Sequence, residues 1–93
     1  MTQDKAGSTV ERLHDRLRAT AERPVDPAAS QWLGEAEAVA GDLVGADVDP
    51  AVLEERVGHV ADLLANVEGT GDPEADEHVA AARDLAADLL SER

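Results

Sequence analysis

Four stretches of the 93-residue chain carry apolar residues at helical spacing. The first has Val10, Leu13, Leu17 and Ala21. The second has Trp32, Leu33, Ala36, Val39, Ala40, Leu43 and Val44. In the third, Leu53, Val57, Val60, Leu64 and Val67 follow one another in a 4-3-4-3 rhythm, as in a short heptad seam. The fourth has Val79, Ala82, Ala86, Leu89 and Leu90. Spacings of three and four keep such residues on one side of a helix, and no stretch alternates as a strand would.

The punctuation agrees with the pattern. Asp26-Pro27, Asp49-Pro50 and Asp72-Pro73 recur at 23-residue intervals. A carboxylate accepts the orphan N–H groups of a first turn, and Pro fits the position after it because its missing N–H would be unpaired there anyway. Gly45 follows the second stretch and Gly69 and Gly71 the third, as helix stops. Ser8 with Glu11 forms a capping-box pattern ahead of the first stretch. The expected helices are 9–22, 27–44, 50–68 and 73–91, with 1–7 as a flexible tail and 1–93 as one domain. Short connections imply antiparallel neighbours. The fold class expected is therefore all-α, a small antiparallel bundle of three to four helices. The first helix is either its fourth member or a mobile arm. The equal Asp-Pro spacing also suits a duplication, but the segments share little beyond caps and length, so a single bundle is favoured over a repeat array.

Composition narrows the function. Asp and Glu number 21 against 8 Lys and Arg, a net charge of −13. This argues against binding nucleic-acid phosphates. Trp32 is the sole aromatic, which leaves little for base stacking. With no Cys, disulfides, Cys-based zinc sites and thiol nucleophiles are excluded. The longest unbroken apolar run, Val79 to Ala82, is far short of a membrane span. No apolar core follows Met1, so no signal peptide is read and a cytoplasmic location is expected.

Like-charge repulsion opposes folding at this net charge. At about 1 M salt the Debye length is only ~3 Å and the repulsion largely disappears. The Asp-rich, Lys-poor, Ala- and Val-rich balance resembles that of haloarchaeal proteins. With its three Asp-Pro caps and the segment Glu68-Gly69-Thr70-Gly71-Asp72-Pro73-Glu74-Ala75-Asp76, the chain resembles small uncharacterised acidic helical proteins of haloarchaea over most of residues 9–90. The resemblance implies a source and a compartment but no activity and no site residue.

Residues 1–23 hold five basic and four acidic groups, whereas 24–93 hold three basic and 17 acidic ones. Arg12, Arg16 and Arg23 share one side of the first helix. They serve either to pair with the chain's own acidic helices or to recognise another acidic protein. Gly34, Ala38, Gly41 and Gly45 form a small-residue strip roughly opposite the apolar face of the second helix. Gly inside a helix costs about 1 kcal/mol against Ala, so the strip suggests close approach by the first helix or a second subunit. Glu11-x-x-His14, Glu55-x-x-x-His59 and Glu74-x-x-x-His78 place carboxylates beside imidazoles, and Asp62 and Asn66 extend the middle pair. A metal site built on His59, Asp62 and His78 is the alternative reading; a solvated polar face is the plainer one.

There is no phosphate-binding glycine loop and no nucleophile elbow, and Ser8, Ser30 and Ser91 fall at helix ends or starts. The expectation is a non-enzymatic protein that holds no cofactor, takes no small-molecule substrate and acts through a protein partner or its own copies. Gly34, Ala38, Gly41, Arg12 and Arg16 are the candidate contact residues. An acidic decoy for a nucleic-acid-binding protein is a further option. The charge balance makes a direct prediction. Helical circular dichroism should be full in molar KCl and fall sharply on dialysis to millimolar salt. An identical spectrum at both would refute the solvent argument.

Overall fold

A computed structural model describes the backbone of residues 2–91 and the side chains of residues 7–91. Met1, Glu92, Arg93 and the side chain of Lys5 lie outside the described residues. Four helices follow one another: α1 (Thr2–Ala21), α2 (Pro27–Leu43), α3 (Pro50–Ala65) and α4 (Pro73–Ser91). Each packs against two neighbours, α1 on α2 and α4, and α3 on α2 and α4, with none touching across the diagonal. The result is a square all-α bundle, 38 Å long and 20 Å across.

The core is the set of stripes described above. Leu13, Leu17, Val57, Val60 and Leu64 are fully enclosed, and so are Ala36, Ala40, Ala82 and Ala86. Paired alanines let α2 and α4 approach the seam closely and fill it with little side-chain volume. Val10, Leu13 and Leu17 join the same cluster, so α1 is an integral fourth member of the bundle. At its C-terminal end the buried residue is Thr20 and not Ala21, which is exposed. The Thr20 hydroxyl is satisfied by donating to the Leu17 carbonyl at 2.6 Å.

Boundaries differ from expectation in two places. The first helix starts at Thr2, so the stretch read as a tail has helical backbone and Ser8 lies inside the helix. Nothing in Thr2 to Ala6 breaks a helix, and one interior Gly is tolerated. The third ends at Ala65, short of 68. There Arg83 of α4 donates to the carbonyls of Leu64 (2.8 Å) and Val67 (2.6 Å). These replace the bonds that another helical turn would make, and Val67 leaves the helix to reach the core.

The three Asp-Pro signals also divide. All three prolines open helices. Asp26 and Asp49 stand at the cap position without a side-chain cap bond. Asp72 makes one, accepting from the Ala75 N–H at 2.9 Å.

Of the two glycines that follow α3, only Gly71 adopts a left-handed backbone, at φ +83°. A Cβ there would lie 2.9 Å from Oδ1 of Asp26, while one at Gly69 would meet nothing within 4 Å. Gly71→Ala should therefore cost about 1 kcal/mol or more, whereas Gly69→Ala should stay within roughly ±0.5 kcal/mol. Paired denaturant melts in molar KCl check this, and equal losses for the two variants would contradict the turn geometry.

Candidate interaction surface

The polar side chains that α1 sends to α4 form a connected string. Near the middle, Arg16 Nη1 lies 3.1 Å from Nδ1 of His78. A guanidinium only donates, so Nδ1 is the acceptor and the imidazole proton sits on Nε2. That nitrogen faces Glu74 at 3.9 Å, one helical turn away. Glu74 in turn lies 3.7 Å from Arg23.

Arg23 closes the string at the end of the bundle where two connections meet. Its Nε and Nη2 donate to both carboxylate oxygens of Asp72, at 2.9 and 3.1 Å. The neighbouring Thr70 is fully buried. Its N–H donates to Oδ1 of Asp76 at 2.9 Å, and its hydroxyl lies 2.8 Å from the same oxygen. The hydroxyl oxygen accepts the Asp72 N–H at 3.1 Å. From the other connection, the Asp26 N–H donates to the Thr70 carbonyl at 2.7 Å. This is the segment Glu68–Asp76 singled out above, and its Thr70, Asp72 and Asp76 are spent on joining the chain to itself.

The candidate contact residues separate in the same way. Arg16 is engaged with α4, while Arg12 is exposed. Gly41 faces α1, where a Cβ would lie 3.1 Å from Nε2 of His14. The close approach expected of the glycine strip is, at this position, the first helix. Gly34 and Ala38 are exposed, and Gly34 has open space around it.

The alternative metal set is not assembled. His78 is taken up in the seam with α1, whereas His59 and Asp62 are exposed on α3. Among the described residues no group of three or more His, Asp or Glu could hold a metal ion. His59 and Asp62 instead line an open groove of about 750 Å³ along α3, with Glu54, Glu55 and Asn66 and with apolar Leu63 and, from α4, Leu90. Asn66 is turned back onto its own helix, donating to the Asp62 carbonyl at 3.0 Å.

One surface was not anticipated. Val44, Val48 and Val52 are the exposed large hydrophobics of the described residues, each 37% accessible. Val44 and Val48 lie on the connection from α2 to α3, and Val52 lies in the first turn of α3. Val44 looked like the last core position of the second stripe, but α2 ends one residue before it. The Gly45 turn, at φ +73°, then diverts the chain. The available signal was Val48 between Asp47 and Asp49, an apolar residue with no helical stripe to belong to.

A family model described as Domain of unknown function (DUF8152) matches residues 9–93. The chain belongs to that family. The DUF8152 match takes in the core residues of all four helices and both connections of the Arg23–Asp72 junction. No curated protein and no solved structure matches the chain. No helix of the described residues is long and apolar enough to cross a membrane.

The junction has a pH signature. The Asp72 carboxyl is held below its ordinary value of 3.8, first by the hydrogen bond from Arg23 and then by the Ala75 N–H; burial works the other way, and the Arg23 charge adds to the lowering. A lowered folded-state value contributes stability that is present above the unfolded value and lost as pH falls through the folded one. Asp72→Asn retains a cap acceptor but not the charge. Wild type should therefore melt above this variant at neutral pH, and the gap should close as pH drops below about 3.8. A gap that persisted to the lowest pH would show that the charge is not the source.

Proposed function

We propose that this chain is a non-catalytic, protein-binding helical bundle of a salt-rich cytoplasm, working as an adaptor, regulator or self-association module. The observation that carries the reading is the run of exposed valines on the α2–α3 connection and the first turn of α3. Apart from half-buried Val25, the other large hydrophobics of the described residues are enclosed or packed against the core. Three exposed valines at four-residue intervals, set among acidic residues, offer apolar side chains for a partner to remove from water.

The other features of the surface support contact over chemistry. Two of the three histidines are committed within the chain, His14 against Gly41 and His78 to Arg16. The third, His59, lines a groove open to solvent. Gly34 and Ala38 provide a second, smaller open strip on α2.

The test is a comparison of wild type with Val48→Asp/Val52→Asp in molar KCl. Val48 is in the connection and Val52 is in the first turn of α3, where an acidic residue suits the helix dipole. The variant should therefore melt like wild type. Sedimentation and affinity capture should show a stoichiometric complex, with itself or another protein, that the variant loses. A monomeric wild type that captures nothing would refute the proposal.

A further inference from the structure

We infer that the α2–α3 connection receives a cationic amphipathic segment of another protein, apolar side chains against the valines and Lys or Arg around them. This rests on the protein-binding reading above and adds the chemistry of the partner.

The argument is charge complementarity. From Pro24 to Glu55 the chain has eight Asp and Glu and no Lys, Arg or His. Asp42, Asp47, Asp49 and Glu55, all exposed, stand beside Val44, Val48 and Val52 in this stretch. The valine surface therefore has a mainly acidic rim, with Arg56, one helical turn from Val52, as its one basic neighbour. A partner that covers it must neutralise that rim or leave carboxylates facing apolar or acidic atoms, which is costly.

A second copy is a poor fit. The same turn from a second copy would bring matching carboxylates together in a two-fold contact. Its α1 offers exposed Arg12, Arg16 and Arg18, but Arg16 is turned to His78 and Glu11 and Asp15 are interleaved with the others. The charges of the described side chains of α1 are therefore mixed. In molar salt the rim contributes little attraction, so the valines carry affinity and the rim selects the partner.

The experiment uses the full chain, isotopically labelled for amide NMR, in molar and in lower KCl that still preserves its fold. The probes are an amphipathic peptide of about 18 residues with a Leu face flanked by Lys, and its counterpart with Glu in place of Lys. The Lys peptide should shift amides between Val44 and Glu55, and the Glu peptide should not. Val48→Asp/Val52→Asp should weaken binding by about tenfold or more.

That variant separates the alternatives, because added carboxylates strengthen a purely electrostatic contact. Stronger binding by the variant, shifts spread over the acidic faces of α2 and α4, no binding by the Lys peptide, or equal binding of both peptides would each overturn the cationic partner. If valine-dependent self-association or capture persisted in those cases, the protein-binding reading would stand and only the partner chemistry would fall. If no valine-dependent association were seen in any assay, both would fall.

Discussion

The bundle closes because three arginines fasten α4. Arg16 reaches it from α1 and Arg23 from the connection after α1, and Arg83 reaches from it to carbonyls at and just past the end of α3. In a chain with 8 basic and 21 acidic residues, where each cation goes is a structural decision. None of these three is a simple surface ion pair. Arg83 satisfies carbonyls left open at a helix end, where a cation also suits the dipole. Arg23 binds a carboxylate through two parallel bonds while that carboxylate caps α4. Such contacts are set by geometry and partial burial, and salt weakens them less than it weakens exposed pairs. Added salt would therefore screen the repulsion between surface carboxylates more than it weakens the Arg23 and Arg83 contacts.

Much of this fold was legible because helical periodicity reports burial directly. Leu53, Val57, Val60, Leu64 and Val67 were read as one seam, and all five lie in the core or against it. The misreadings occurred where a tertiary contact overrode a local signal. Nothing near Asn66 in sequence says that Arg83, 17 residues on, will take the carbonyls that end α3 early. Three identical Asp-Pro pairs gave identical forecasts, but only Asp72 has an arginine and a buried threonine around it to hold its side chain at the cap. The capping box at Ser8 is a local preference that the helix simply runs through.

The site was less legible than the fold for a related reason. A glycine strip or a glutamate–histidine pair is defined along one helix, but what it does depends on which helix lies across from it. Gly41 has α1 over it and Gly34 has nothing, although the two belong to one strip. His59 and His78 look equivalent in sequence, but His78 falls opposite Arg16 and His59 opposite solvent. The valine surface lay hidden for the opposite reason, since Val44 continued a stripe whose helix had already ended.

The interior and the exterior are linked through alanine. Ala36 and Ala40 of α2 and Ala82 and Ala86 of α4 are wholly enclosed, so each helix turns small side chains toward its two neighbours and the interior. A bundle that houses a cofactor or substrate needs inward-facing polar groups and room between its helices. Among the described residues the buried polar side chains are Thr9 inside α1, Thr20 at its end, and Thr70 and Asp72 in a connection, and those of Thr20, Thr70 and Asp72 are hydrogen-bonded within the chain. Opening the seam would sacrifice the close approach that the alanines permit, and the small side chains bury little area to spare. The apolar and acidic groups that this packing leaves on the outside, Val44, Val48 and Val52 among Asp42, Asp47 and Asp49, are the ones the core does not use.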